Sequence, residues 1–170
     1  VEVARLGTDK WAISVRGFNG RFANKLQVLM DGRSVYTPLF SGVIWSQQDT
    51  FMEDIERIEV IRGPGATVWG ANAVNGVINI ITKKAADTQG TLLTGGGGSF
   101  ERGFVGVRYG GKLNEETPFR VYAKAFSRDP MHSLSGVSVR DDWQSARAGF
   151  RLDHSRGIDQ LTVQGDVFIN

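Results

Sequence analysis

The spacing of hydrophobic and polar residues changes near residue 90 of this 170-residue chain. Before that point, alternating or β-branched runs such as Trp11–Phe18 and Gly76–Lys83 predict strands of a few residues. Asp31 and Gly32 lie between two strand-like runs and predict a tight turn, because both central residues must tolerate positive φ. With short helical signals between the strands, the pattern predicts a small α+β domain over residues 1–86.

Two local signals predict helical turns in this domain. Thr50 followed by Glu53 has the capping-box spacing, which predicts a short helix running into the next strand. Pro64 breaks that strand and is suited to open a second helical turn through Ala66–Asn72.

From Thr91 onward the pattern predicts strands of about 10 residues, a length that suits a tilted strand crossing a bilayer. About five such strands fit into residues 87–170. Apolar residues occupy one face of each strand, and polar residues occupy the other. The apolar positions are Val105, Val107, Tyr109, Phe119, Val121, Ala123, Ala125, Ala146, Ala148, Phe150, Leu152, Leu161, Val163, Val167 and Ile169. The polar positions include Arg102, Arg108, Arg120, Tyr122, Lys124, Ser145, Arg147, Arg151, Asp153, Thr162, Gln164 and Asp166.

This alternation leaves two architectures open, since any antiparallel sheet with one hydrated face shows it. A soluble sandwich or half-barrel is one, and a membrane barrel is the other. The small alanines and glycines of the apolar faces favour the barrel, because they fill a packed core poorly and lipid accepts them. The glycine run Gly95–Gly98 predicts a flexible turn, since no Lys-Ser/Thr follows it as in a phosphate-binding loop.

Composition removes several classes of function. The formal charge of +2 arises from interspersed charges, so nucleic acid is not an expected partner. The absence of cysteine excludes disulfide scaffolds, thiolate zinc sites and cysteine nucleophiles. There is no signal-peptide pattern and no apolar run near the ~18 residues of a membrane helix. Both ends fall within patterned segments, so we expect the chain to be a fragment.

Catalytic chemistry finds little support in the sequence. His132 and His154 are isolated in segments that resemble turns, and no histidine pair has metal-binding spacing. No nucleophile elbow is present. The acid pairs Glu115-Glu116 and Asp141-Asp142 lie in predicted turns, where solvated charge is the ordinary interpretation. We therefore predict no enzyme activity, no catalytic residue, no metal site and no cofactor.

Three motifs together resemble one known domain. The stretch IERIEVIRGPGATVWGANAVNGVINIITKK, Ile55–Lys84, closely resembles the end of the plug domain of TonB-dependent outer-membrane receptors. The earlier stretches ISVRGFNGR and VLMDGRSVY resemble upstream motifs of that domain, in the same order. The resemblance implies an α+β plug domain followed by antiparallel transmembrane β-barrel strands. It places the first part of a barrel of about 22 strands in residues 87–170.

The resemblance also implies a function and a location. A receptor of this family is a gated active transporter of the bacterial outer membrane, in contact with outer-membrane lipid and energised by the TonB-ExbB-ExbD complex. TonB grips a segment N-terminal to the plug, which this sequence does not contain. The expected cargo is a bulky scarce ligand, foremost a ferric siderophore, with cobalamin, haem, another chelate or an oligosaccharide as alternatives. Two alternatives come from other functional classes. One is a non-transporting outer-membrane binding or adhesion protein, and the other is a soluble glycan-binding module.

Two arginines are candidates for the plug-barrel interface. Arg16 and Arg62 end strands beside glycines, where a guanidinium can donate bidentate hydrogen bonds to carboxylates. The resemblance implies barrel-wall acids beyond Asn170 as partners, and solvated surface arginines are the alternative.

Two loops are candidates for ligand contact, since they match the outward-facing plug apices of similar receptors. They are Asn19–Lys25 and Tyr36–Gln48, where aromatic side chains offer rigid contact area to a bulky chelate. The alternative is that these side chains pack beneath the barrel wall. The candidate residues are Asn19, Arg21, Phe22, Asn24, Leu39, Phe40, Ser41, Ile44 and Trp45. On the predicted barrel strands, Arg120, Lys124, Arg147 and Arg151 either favour anionic cargo or neutralise acids of the plug or of lipopolysaccharide.

Overall fold

The structure is a computed structural model, which describes residues 1–17, 20–22, 24–131 and 141–170. The chain divides into two compact units, Val1–Thr82 and Lys83–Asn170. Among the described residues, no helix is both long enough and apolar enough to span a membrane.

The first unit contains a two-stranded and a four-stranded sheet. Its strands are β1 (Glu2–Arg5), β2 (Trp11–Ser14), β3 (Leu26–Met30), β4 (Arg33–Ser34), β5 (Ile55–Arg62) and β6 (Gly76–Thr82). Strands β1 and β2 form an antiparallel pair, and the larger sheet has the order β4-β3-β6-β5. Strand β3 runs parallel to β6, whereas β4 and β5 run antiparallel to their neighbours.

The predicted Asp-Gly turn is confirmed between β3 and β4. Asp31 and Gly32 have φ values of 48° and 80°, the left-handed conformation that a tight hairpin requires. Asp31 also accepts two hydrogen bonds from Thr82, one from its backbone N–H and one from its hydroxyl, both 2.8 Å. The turn thereby holds the last residue of β6.

Both predicted helical turns are present. The helix α1 spans Ala66–Trp69 just after Pro64, as predicted, and ends at Gly70 with φ of 99°. The segment after Thr50 forms a short 3-10 turn at Met52–Asp54 that leads into β5, and its N-cap residue is Phe51 rather than Thr50. Phe51 is 2% exposed, and β5 begins at Ile55, so core packing of Phe51 leaves no room for a longer helix.

The core of the first unit lies on the four-stranded sheet. A buried cluster joins Val15, Leu26, Val28, Val35, Val43, Ile78 and Ile80. Strand β6 is buried almost throughout, as the β-branched run predicted. At its first residue, Gly76, an added Cβ would lie 2.5 Å from the Ile61 carbonyl oxygen, so only glycine fits.

The second unit begins with a 3-10 turn at Ala85–Thr88 and continues as one antiparallel sheet of five strands. The strands are β7 (Gly90–Gly96), β8 (Glu101–Asn114), β9 (Thr117–Arg128), β10 (Trp143–Arg156) and β11 (Asp159–Ile169). Each pairs with the next in chain order, which confirms the prediction of about five strands.

The connections differ between the two ends of this sheet. At one end, the turns Glu115–Glu116 and Gly157–Ile158 have only two residues each, whereas 4 residues separate β7 from β8 and 14 separate β9 from β10 at the other end. Glu115 and Glu116 lie in a turn, as predicted, because β8 ends at Asn114. His154 lies within β10 rather than in a turn, and Gly95 and Gly96 lie within β7.

The two faces of the sheet have the predicted chemistry. Register places Ala146, Ala148 and Phe150 opposite Ala125, Ala123 and Val121, so the apolar positions form one continuous face. Large apolar side chains on this face remain exposed, with Val167 at 72% and Leu93 at 73%. Exposed apolar area of this extent marks an interaction with a membrane or a partner.

Candidate functional site

The candidate ligand site lies in the first unit. Strand β3 begins at Leu26 and its antiparallel neighbour β4 ends at Ser34, so the loops before β3 and after β4 start at the same end of the sheet. Thr82, which leads into the second unit, lies at the opposite end, because β6 runs parallel to β3. The fold therefore brings together the two loops that the sequence singled out.

A stacked aromatic pair joins the loops. The rings of Phe22 and Phe40 lie 5.5 Å apart between centroids with an interplanar angle of 12°. Backbone hydrogen bonds between Thr37 and Gly42, of 2.8 and 3.3 Å, close the second loop into a compact turn. An added Cβ at buried Gly42 would lie 2.8 Å from Cβ of Phe22, so glycine allows the close approach of the loops.

This pair borders a pocket of about 290 Å³. Five of the predicted residues line it: Arg21, Phe22, Phe40, Ile44 and Trp45. Asp9, Lys10 and Trp11 complete the lining together with Val43 and Ser46. The sequence analysis missed Asp9, Lys10 and Trp11, because contact between the β1-β2 turn and loops far along the chain has no signature in the sequence.

The other predicted ligand residues do not line this pocket. Leu39 is 80% exposed at the loop tip. Ser41, with φ of 50°, and Asn24 are also exposed. Asn19 lies outside the described residues.

The pocket combines aromatic surface with positive charge. The Arg21 guanidinium lies 5.1 Å from the Phe22 ring centroid, and Lys10 forms an ion pair with Asp9 at 3.7 Å. Planar groups stack on aromatic faces, and a guanidinium binds anions by charge-assisted hydrogen bonds. The arrangement therefore suits a planar group that carries negative charge.

The two arginine-glycine motifs of the sequence meet near this sheet end. Arg16 has φ of 59°, and its Nη1 lies 3.6 Å from the position of a Cβ added at Gly63, whose φ is 120°. Arg16 and Arg62 are both exposed. Neither guanidinium forms an ion pair within the part of the chain that the structure describes.

Three of the cationic residues that were predicted on the barrel strands bind other groups of the second unit. Arg147 forms an ion pair with Asp166 and lies 4.7 Å from the Phe168 ring centroid. Arg151 is bonded to Asp153 at 3.0 Å, and buried Arg120 donates to a backbone carbonyl. These three arginines thus each bind a group of the second unit.

Metal binding has no support from the side chains that can be placed. Among residues 1–17, 20–22, 24–131 and 141–170, no three His, Asp or Glu side chains are grouped to hold a metal ion. His154 instead contacts the Thr117 hydroxyl through Nδ1 at 2.9 Å.

Comparison with known proteins gives the family. The family model described as the TonB-dependent Receptor Plug Domain matches residues 1–77. An iron-regulated outer membrane virulence protein of Vibrio cholerae is 33% identical over 167 residues, which cover 90% of this chain and 25% of that protein. The chain belongs to the TonB-dependent outer-membrane receptors.

The names of two further relatives of this TonB-dependent receptor state different ligands. The vitamin B12 transporter BtuB of Vibrio vulnificus is 35% identical over 101 residues, which cover 58% of this chain and 16% of that protein. The ferric enterobactin receptor of Pseudomonas aeruginosa is 38% identical over 99 residues, with coverages of 54% and 12%. The chain thus spans no more than about a quarter of these relatives, since the largest share is 25%.

Solved structures confirm the predicted fold class. The pyoverdine receptor FpvA of Pseudomonas aeruginosa matches with a TM-score of 0.69 at 20% identity, covering 98% of this chain and 23% of that one. The ferric yersiniabactin uptake receptor FyuA of Yersinia pestis gives a TM-score of 0.69 at 18% identity, covering 94% and 25%. The TonB-dependent receptor therefore has a plug followed by barrel strands, and the soluble-module rival is excluded.

Proposed function

We propose that this chain is part of an active importer of a bulky chelate, and that a ferric siderophore is its cargo. The observation that carries the proposal is the aromatic, cationic pocket at the sheet end remote from Thr82. The names of the relatives support it, because an iron-regulated protein and a ferric siderophore receptor are among them. The proposed plug comprises residues 1–86, of which residues 83–86 pack with the second unit, and the proposed barrel portion comprises residues 87–170.

The pocket is too small to enclose a whole chelate. Ligand sites usually measure about 300–1,000 Å³, and this one measures about 290 Å³. It therefore receives one planar arm of the ligand, stacked beside Phe40 and Trp45 with Arg21 as the cationic partner. The remainder of the ligand contacts barrel residues beyond this chain.

Import requires energy and a closed plug. In the proposal, TonB with ExbB and ExbD supplies the energy through a segment upstream of the plug. Arg16 and Arg62 hold the plug to barrel-wall acids beyond Asn170, because two exposed arginines without an ion pair in the described residues suit carboxylate partners. The receptor catalyses no reaction.

Cobalamin is the second candidate cargo. It is favoured by the 35% identity with a vitamin B12 transporter over 101 residues. The charge on Arg21 separates the candidates, since it attracts an anionic chelate arm and gives no such advantage to an uncharged ligand.

Uptake by a deletion strain tests the proposal. Radiolabelled ferric tricatecholate, ferric trihydroxamate and cobalamin are supplied to cells with the gene deleted and to cells with the full-length gene restored. Loss and restoration of uptake of one iron chelate supports the proposal, and restoration of cobalamin uptake alone supports the second candidate. Binding without any uptake contradicts import and favours a non-transporting binding protein.

Pocket variants test the site separately. Phe40→Ala removes half of the stacked pair, and we expect the dissociation constant of the imported chelate to rise about tenfold. Leu39→Ala is the matched control, because its side chain lies on the same loop and does not line the pocket. Equal effects of the two variants would exclude this pocket as the ligand site.

A further inference from the structure

The segment Lys83–Gln89, which we call the junction segment, joins β6 of the first unit to β7 of the second. It belongs wholly to the second unit. Ala85 is 0% exposed and Thr88 is 1% exposed, although connecting segments usually lie on the surface. The depth of burial indicates that the segment is held against the strands.

A carboxylate of β10 holds the start of its 3-10 turn. The Ala85 N–H donates to Oδ2 of Asp153 at 2.7 Å. Oδ1 of Asp153 accepts from Thr162 Oγ1 at 2.8 Å and from Arg151 Nε at 3.0 Å. Neighbouring side chains of the sheet therefore orient Asp153 toward the junction segment.

A buried arginine of β9 adds a second attachment. Arg120 donates from Nη1 to the Lys83 carbonyl oxygen at 2.6 Å. Hydrogen bonds that involve a charged partner are shorter and stronger than those between neutral groups. The junction segment thus has two charge-assisted bonds to two adjacent strands.

Close packing supplies a third attachment. A Cβ added at Gly110 of β8 would lie 2.0 Å from the Thr88 carbonyl oxygen, so the backbones touch where β8 has no side chain. The turn is also closed internally, because Thr88 Oγ1 and Gln89 Nε2 both donate to the Ala85 carbonyl oxygen, at 3.1 and 2.6 Å. Three consecutive strands therefore contribute to the attachment.

A second carboxylate holds the chain just upstream. Thr82 is bonded to Asp31 within the first unit through both its N–H and its hydroxyl. Between Thr82 and Ala85 lie only Lys83 and Lys84. A rearrangement that leaves both carboxylate attachments intact must therefore rotate the backbone at these two residues.

We propose that Asp153 is a positioning residue that fixes residues 85–89 of the junction segment to the barrel wall, so that the plug pivots at Lys83-Lys84 when it moves. The attachment itself is a property of the fold, and only the pivoting rests on the proposed import function. During import, residues 85–89 keep their place on β8, β9 and β10 while the chain before Lys83 rearranges.

Hydrogen exchange in the unmodified full-length receptor is the first test. Peptides that cover β6 and the junction segment are followed by mass spectrometry as urea is raised in detergent micelles. At the urea concentration where β6 exchanges, we expect the junction segment to exchange at least tenfold more slowly. Simultaneous exchange of both peptides would overturn the proposal, and this comparison requires no variant.

Variants of Asp153 are the second test. Asp153→Ala removes the acceptor, so exchange in the junction segment should accelerate about tenfold while β6 is unchanged. Asp153→Asn keeps an acceptor oxygen and should restore part of the protection. Asp159→Ala is the matched control, because Asp159 begins β11 in the same hairpin and no bond to the junction segment involves it. An unchanged junction segment in Asp153→Ala would refute the role of Asp153.

Measurement of the import rate distinguishes a positioning role of Asp153 from a purely structural one. Asp153→Ala should leave the dissociation constant of the imported ligand within twofold and lower the import rate at least threefold, because an unanchored junction no longer opposes force on the plug. A changed affinity with an unchanged rate would contradict positioning. The exchange results stand whichever ligand is imported, so failure of the siderophore assignment is distinguishable from failure of this inference.

Discussion

Replacing Val163 by arginine tests whether the apolar face of the barrel strands is exposed to lipid or to water. Val163 lies near the middle of β11, opposite Leu152 of β10, and is 45% exposed. If this face met water, an arginine at so exposed a position would change stability by no more than about 0.5 kcal/mol. In a bilayer, an arginine on the lipid face near the midplane costs about 2–4 kcal/mol.

The two environments therefore differ in a measurable way. A cost of 2–4 kcal/mol corresponds to roughly a 30- to 700-fold change in the folding equilibrium constant. Gln164→Arg is the matched control, because Gln164 is the next residue on β11 and faces the polar side, opposite Arg151. We expect this control to have a smaller effect than Val163→Arg, since its charge does not enter lipid.

The assay uses the full-length receptor refolded into lipid vesicles. Urea titration followed by tryptophan fluorescence gives the unfolding free energy, and heat-modifiable migration on gels reports the folded fraction. Val163→Arg should lose stability and insertion yield, and Gln164→Arg should retain most of both. A Val163→Arg variant as stable as the unmodified receptor would refute the lipid-facing assignment.

Three further predictions concern the plug. Gly76→Ala should lower the urea midpoint of the plug, because the new methyl group meets a backbone carbonyl oxygen, whereas Gly20→Ala meets open space and should change it little. Asp31→Ala should destabilise the plug by about 1–3 kcal/mol, measured by urea titration, since it leaves two donors at the end of β6 without their acceptor. Hydrogen bonds from Arg57 and then Asn79 hold the pKa of Glu59 below its ordinary value, so its contribution to stability is present above the unfolded pKa. That contribution should disappear as pH falls through the folded pKa, and Glu59→Gln should flatten this part of the stability profile.

The sequence predicted the strands of the second unit well because their two faces meet different environments. Side chains alternate with a period of two, so Ala146 and Ala148 are separated from Arg147 along the whole membrane-facing part of β10. The pattern fails where both faces meet water. Lys112 and Leu113 are exposed at the end of β8, where the strand continues to Asn114 without one buried face.

The structure of the plug was predictable from the sequence where a local conformation is one that few residue types adopt. Asp31-Gly32 was such a case, since few other pairs adopt two left-handed residues in a hairpin turn. The exact start of the 3-10 turn after Thr50 was not, because Phe51, which is buried in the core, is its N-cap residue. The candidate site was found through its loops, but the contribution of Trp11 depended on a contact between segments that only folding brings together.

The sheet of the second unit has two edge strands, β7 and β11, since each pairs on one side only among the described strands. Backbone groups on such edges find no water inside the hydrocarbon layer, and each unpaired group costs several kcal/mol. Each strand of this sheet is consequently stable in the bilayer only when both of its edges are paired or shielded. This requirement makes assembly of the wall cooperative rather than stepwise.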